Sequence, residues 1–211
     1  MLPFTPEQFA DVFAAYNEAI WPAQMVAYAL GLAALVLLQR KTPASNIAVA
    51  LILSAMWIWT GIAYHALFFA RINGAAYLFA ALFVAQGGFI AASGLSGKLR
   101  FEWRPGLAAW TGVALAFYAA VLYPLIGLWA GYAYARLPMF GVTPCPVTLF
   151  TFGLFLLSVP ILPRGLLAVP LLWSLIGGSA AILLRIPQDW LLLASGAVAV
   201  PLLLLRDRAR C

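Results

Sequence analysis

Between residues 20 and 205 the chain passes through seven long apolar stretches, at 20–38, 46–68, 73–95, 106–128, 146–163, 165–184 and 189–205. A helix crossing a bilayer needs about 20 mostly apolar residues, because the hydrocarbon core is about 30 Å thick and each residue rises about 1.5 Å. Backbone N–H and C=O groups find no water there, so such segments must be helical. The stretches predict an all-α integral membrane protein: a compact bundle of about seven transmembrane helices, forming a single membrane domain over 1–211. Composition agrees. The chain is 65% hydrophobic and 9% charged, whereas a soluble domain carries about 25% charged residues. Its net charge of +6 does not point to nucleic acid. The basic residues stand singly or in short groups between apolar runs, the arrangement that orients membrane helices.

Counting Lys and Arg in the connections gives nine on one side: Arg40, Lys41, Lys98, Arg100, Arg104, Arg164, Arg206, Arg208 and Arg210. The other side carries three, Arg71, Arg136 and Arg185. Cytoplasmic loops hold the excess of Lys and Arg, so the expected topology has the N-terminus outside and the C-terminus in the cytosol. No cleavable signal peptide is expected, since such a peptide opens with a basic region and the first basic residue here is Arg40. Thr5-Pro6-Glu7 reads as a helix start, with proline tolerated in the first turn. Over 4–17, Phe9, Val12, Phe13 and Tyr16 recur at helical spacing, and Glu7, Asp11 and Glu18 share the opposite face. This is an amphipathic surface helix, lying on the outer face of the bilayer or capping the bundle.

Polar side chains inside lipid are costly, and each needs a reason. On the expected topology most of the chemically versatile ones gather toward the outer leaflet. Glu18 stands at the mouth of the first span, Tyr64 and His65 near the outer end of the second, and Asn73 at the start of the third. Tyr123 lies near the outer end of the fourth span, Cys145 and Thr148 begin the fifth, and Asp189 begins the seventh. Ser54, Trp57, Gly61 and His65 form one helical stripe with a gap at Gly61, which admits either a ligand or a neighbouring helix. Thr148, Thr151 and Ser158 make a hydroxyl stripe, and Ser174, Gly177 and Gly178 a small-residue face suited to helix packing or to a homo-oligomer contact.

His65 is the lone histidine, and its imidazole can bind a metal, shuttle protons or hydrogen-bond a neighbouring helix. Pro144-Cys145-Pro146 places a thiol at a helix entrance, where the positive helix end favours thiolate. Thiolate prefers soft metals, so Cys145 and His65 are the candidate ligands for a soft metal ion. Cys145 and Cys211 fall on opposite sides of the membrane, which excludes a disulfide between them. Trp21, Trp103, Trp129 and Trp190 fall at expected interfaces; Trp57, Trp59, Trp110 and Trp173 lie deeper, where they pack the core or line a cavity. Pro160, Pro170 and Pro201 lie within spans and are expected to kink them.

The chain resembles a bacterial multi-pass membrane family known as domain of unknown function 6064. The matching stretches are 16–24 (YNEAIWPAQ), Trp57-Ile58-Trp59 with His65, Ile72-Asn73, Leu122-Tyr123-Pro124, 140–146 (FGVTPCP) and 171–177 (LLWSLIG). The resemblance implies a multi-pass fold in a bacterial inner membrane and implies no activity.

The function expected from the outward cluster is transport or channelling of an ion, a soft metal among them, or of a small solute. Its ligand-binding residues would be Glu18, Trp57, His65, Asn73, Tyr123, Thr148 and Asp189. Two alternatives stay open: an accessory or binding subunit of a membrane complex, and a membrane-embedded metal-dependent enzyme. No nucleotide-binding loop is present, so the expected transport is not driven by ATP hydrolysed in this chain.

Overall fold

A computed structural model describes residues 3–159 and 161–208. The fold is all-α, with strand among the described residues confined to two antiparallel pairs, Arg100 with Val159 and Phe101 with Ser158 (β1, Arg100–Phe101; β2, Ser158–Val159). Among the described residues, five helical segments are long and apolar enough to cross a membrane: Pro43–Arg71, Ala76–Leu95, Leu107–Trp129, Arg164–Leu184 and Pro187–Arg208. Their regular parts are α3 (Pro43–Trp59), α4 (Ala76–Leu95), α5 (Leu107–Phe117) with α6 (Tyr123–Trp129), α8 (Ala168–Leu184) and α9 (Trp190–Arg208).

The other two predicted spans are shorter than expected. The first is α2 (Ala23–Leu37), which is too short to count among the five and meets α1 (Pro6–Ala19) at 85°; only the bent pair taken together has the length and apolarity of a span. The fifth, predicted over 146–163, is α7 (Pro144–Leu156) and stops after 13 residues. Ser158 and Val159 leave the helix to pair with Arg100 and Phe101, and the Ser158 hydroxyl donates back to the Phe155 carbonyl at 2.7 Å. A 13-residue helix is about 20 Å long, short of the hydrocarbon core. The bundle tolerates it because every residue from Leu137 to Ser158 is buried in protein. Non-helical backbone at membrane depth is stable only under such cover.

Small residues set the spacing around this central helix. A Cβ on Gly153 of α7 would lie 2.7 Å from the Gly112 carbonyl oxygen of α5, and a Cβ on Gly112 equally close to that of Gly153. The two backbones touch because neither residue has a side chain. The gap at Gly61 is filled by α4, whose Ala80 carbonyl would be 2.9 Å from an added Cβ. Gly178 is closed by Leu193 of α9, and Gly196 of α9 by Ser174. The Gly177–Gly178 face, read as suited to helix packing or to a homo-oligomer contact, packs here against Leu192 and Leu193 of α9. Pro170 falls in the first turn of α8, where a missing N–H costs little, and Pro201 lies inside α9. Pro160, Arg210 and Cys211 lie outside the described residues.

Two spans carry π-helical turns, Thr60–Ala66 continuing α3 and Tyr118–Leu122 joining α5 to α6. The second has a plain cause: Pro124 offers no N–H to the 120 carbonyl and its ring crowds it. In the first, Thr60 hydrogen-bonds its hydroxyl to the Met56 carbonyl at 2.8 Å, a pairing that loosens the helical ladder. The wide turn buries Tyr64 and His65 together.

α1 closes one end of the bundle. Thr5 and Gln8 form a reciprocal cap at its start, and Val12, Phe13, Tyr16 and Asn17 turn inward. Tyr16 donates to the Val142 carbonyl at 2.7 Å and accepts from the Trp59 indole at 2.9 Å. Asn17 bonds the carbonyls of Ala135 and Leu137 at 2.9 and 2.8 Å. The apolar face of α1 thus lies against the protein, as a cap.

Candidate functional site

Beneath α1 lies a cavity of about 160 Å³. Its walls are largely aromatic, with Phe9, Phe13, Tyr64, Phe69, Phe79 and Trp173, and its polar groups come from Asn73, Cys145 and Asp189. The chain folds that way for local reasons. α7 begins at Pro144, and prolines at 144 and 146 remove two of the first-turn N–H groups, leaving that of Cys145. The Thr143 hydroxyl makes no cap at this helix; it donates to the Met139 carbonyl at 2.7 Å. The start of α7 therefore faces the cavity unsealed.

Asp189 ends the turn Pro187–Asp189 that opens α9. Arg185 ends α8 in the left-handed conformation, with φ of 57°. Two tyrosines of the neighbouring crossing fix this turn. The Tyr118 hydroxyl donates to the Gln188 carbonyl at 2.8 Å, and the Tyr123 hydroxyl donates to the Asp189 carboxyl. Asp189 is 3% exposed. It is also the one charged residue within the seven apolar stretches, and no basic side chain pairs with it among the described residues. The Cys145 thiol has Asp189, Trp173 and Tyr123 as its polar neighbours.

Trp173 contributes an indole N–H that is buried at the cavity and makes no well-formed hydrogen bond, its polar neighbour being the weakly accepting Cys145 thiol. Its seat depends on Gly177 one turn on, where a Cβ would lie 3.0 Å from the indole nitrogen. The tryptophan was legible only as a deep aromatic; the glycine four residues later is the signal that it needs room.

His65 is fully buried and stands behind the cavity wall. Its ring lies 4.7 Å from Phe83, 5.0 Å from Trp173 and 5.2 Å from Tyr64, all steeply inclined to it. Neither ring nitrogen has a hydrogen-bond partner. Edge-on packing of this kind directs ring hydrogens at aromatic faces, a weak substitute for a hydrogen bond. Among the described residues no three His, Cys, Asp or Glu side chains come together to hold a metal ion. Cys145 and His65 are thus not members of a three-ligand metal cluster.

The remaining predicted residues separate clearly. Asn73 lines the cavity and accepts from the Ala75 N–H at 3.1 Å. Tyr123 reaches the site through Asp189. Trp57 bonds Thr151 at 2.8 Å, and Thr148 bonds the Pro144 carbonyl at 2.8 Å, so both are spent on packing. Glu18 is exposed and away from the cavity walls, whereas its neighbour Asn17 is buried. Asn17 continues the inward face of Phe13 and Tyr16, a phase the sequence carried.

The model of a family described as "Family of unknown function (DUF6064)" matches residues 6–210. No curated protein matches the chain, and no solved structure does.

Proposed function

We propose that this chain, which belongs to the DUF6064 family of unknown function, binds a small solute in the cavity beneath α1 and carries it across the bilayer. The solute has an apolar body and a head group that donates hydrogen bonds. The observation that carries this reading is Asp189: a buried carboxyl at a cavity wall, inside an apolar bundle, with no basic side chain paired to it among the described residues. An acid in that position is costly and marks a functional site by default. The Trp173 N–H at the same cavity is a donor, so it calls for an acceptor on the solute beside the group that donates to Asp189. Aromatic walls suit the solute's apolar body and favour a cationic head.

A soft metal fits less well, because Cys145 and Asp189 lack a third ligand of the usual kinds nearby. Transport rather than storage is supported by the two π-helical turns next to the site, a geometry that often marks functional positions in helices. On the Lys and Arg distribution, α1 and the cavity belong to the exterior side.

The test uses the purified full chain in proteoliposomes with four labelled probes of similar size: propylamine, tetramethylammonium, propanol and propionamide. Uptake or saturable binding of at least one probe is expected. Ala180→Phe, which fills the cavity from α8, abolishes it. Asp189→Asn weakens the two cationic probes at least tenfold and the neutral ones little. Uptake no greater than in empty liposomes, or uptake indifferent to Ala180→Phe, overturns the proposal.

A further inference from the structure

A second, larger cavity opens sideways at the opposite end of the molecule, between α2 and α5. Its volume is about 660 Å³, and its floor is Ala116 with Leu157, the residue that follows α7. Leu35 and Leu38 form one wall; Val113, Phe117 and Val121 form the other. That second wall runs two turns of helix, about 12 Å. α2 packs on α3 and makes no substantial contact with α5, so the cleft is a real gap in the lipid-facing surface.

Its polar end is different in kind. Gln39, Lys41 and Trp103 stand there, and Arg40 is exposed beside them. Glu102 is the single acid at this rim and is shared, 3.4 Å from Lys41 and 2.9 Å from Arg104. Three cations against one carboxylate leave the rim with a surplus of two positive charges. Arg40 takes part in no ion pair among the described residues. Trp103 is 40% exposed and packs edge-on against Trp110 at 5.1 Å, the placement of an indole at the boundary between acyl chains and head groups.

We infer that this cleft is a binding site for an anionic phospholipid, with an acyl chain between α2 and α5 and the phosphate head group at Lys41, Arg40 and Trp103. The apolar walls admit a chain of any phospholipid; the surplus charge selects the anionic one. Each uncompensated Lys or Arg near a membrane surface favours an anionic head group appreciably. Two such charges predict a preference of at least tenfold. The site is independent of the cavity beneath α1 and does not rest on the transport reading.

The experiment is native mass spectrometry of the full chain. The protein is delipidated in mild detergent and offered equimolar phosphatidylglycerol and phosphatidylcholine of matched chains. One retained phosphatidylglycerol per chain, preferred at least tenfold, is expected. Arg40→Gln with Lys41→Gln should reduce the preference below threefold while chain binding persists. Val113→Trp, at a half-exposed position that tolerates a large side chain, should remove the retained lipid of either kind. Equal retention of the two lipids by the unaltered chain overturns the proposal. So does phosphatidylglycerol that survives Val113→Trp, which would be surface adsorption. A dimer that forms on delipidation and blocks lipid binding would show a second copy to be the occupant, and would also overturn it.

Discussion

The two ends of α7 are built on opposite principles. At its C-terminal end every carbonyl from Leu154 to Leu157 has a donor. Leu154 accepts from the Leu157 N–H at 3.0 Å, and Phe155 from the Ser158 hydroxyl and from Arg206. Leu156 accepts from Arg206 at 3.0 Å, and Leu157 from the Glu102 N–H at 2.9 Å. A cation at a helix C-terminus also opposes the helix dipole, and Asp207 neutralises that cation at 2.7 Å. At the N-terminal end the cap hydroxyl is turned away, and the indole of Trp173 and both nitrogens of His65 have no partner. Asp189 there has only hydroxyl and thiol neighbours. Native proteins rarely leave buried polar groups unmatched, and when they do the position calls for an explanation. One end is closed by matched hydrogen bonds; the other leaves buried polar groups unmatched, which is what the proposed solute site would use.

That contrast depends on α7 keeping one depth and one rotation, so the largest effect is expected from moving it. Gly153→Val would place side-chain carbon against the Gly112 carbonyl and within 3.0 Å of the Ala116 N–H. Backbone cannot yield as a side-chain tip does. A loss of about 3 kcal/mol or more is expected, seen as aggregation on size-exclusion chromatography or as a much lower melting temperature in detergent. A variant that melts with the unaltered protein would mean that α5 and α7 are not in contact there.

Arg206→Ala attacks the closed end directly. It leaves the Leu156 carbonyl without its donor, takes one of two from the Phe155 carbonyl, and strips Asp207 of its partner in a pair whose side chains are 11% and 14% exposed. The expected cost is about 2–3 kcal/mol. Probe binding beneath α1, corrected for folded fraction, should be unchanged. A change of binding without a change of stability would erase the division of labour between the ends.

A matched pair of substitutions sharpens the comparison further. Trp57 and Trp173 are both buried indoles, but only Trp57 has a partner, Thr151 on α7. Trp57→Phe discards a buried hydrogen bond, and Trp173→Phe discards a donor that had none. Thermal melts should find Trp57→Phe the more destabilising by about 1 kcal/mol. Trp173→Phe should instead weaken solute binding at least threefold. Equal stability losses would mean that the Trp173 N–H is satisfied in the folded protein after all.

The seven apolar stretches were legible because hydrophobic length is a direct requirement of the bilayer. What apolarity does not encode is whether a helix faces lipid or protein. The 146–163 stretch is as apolar as its neighbours, yet it became a short central shaft because Ser158 and Val159 found a strand partner nearly sixty residues away. The site divides the same way. Asn73, Cys145 and Asp189 could be placed at one end by depth alone, and they do meet at one cavity. Depth does not fix rotation. Trp57 and Thr148 turned out to face the contact between helices, and the π-helical turn at Thr60–Ala66 set His65 behind the wall. Glu18 shows the finer error: a shift of one residue to Asn17 crosses from the solvated face of α1 to the buried one.

The smallest expected effect is at the basic rim, where charge is exposed. Arg104, with Lys41, holds the Glu102 carboxylate below its ordinary value of 4.5. The folded chain therefore binds this proton less readily than the unfolded chain. Its contribution to stability is present above the unfolded value and is lost as the pH falls through the folded one. Exposed pairs of this kind contribute little and are screened by salt. Melting curves of Glu102→Gln should fall marginally below those of the unaltered protein at pH 7 in low salt, and converge with them as the pH falls through the lowered folded value or in high salt. If the gap instead widened on acidification, the protonated Glu102 carboxyl would be making a contact that glutamine cannot, and the pairs with Lys41 and Arg104 would not be what Glu102 contributes to the rim.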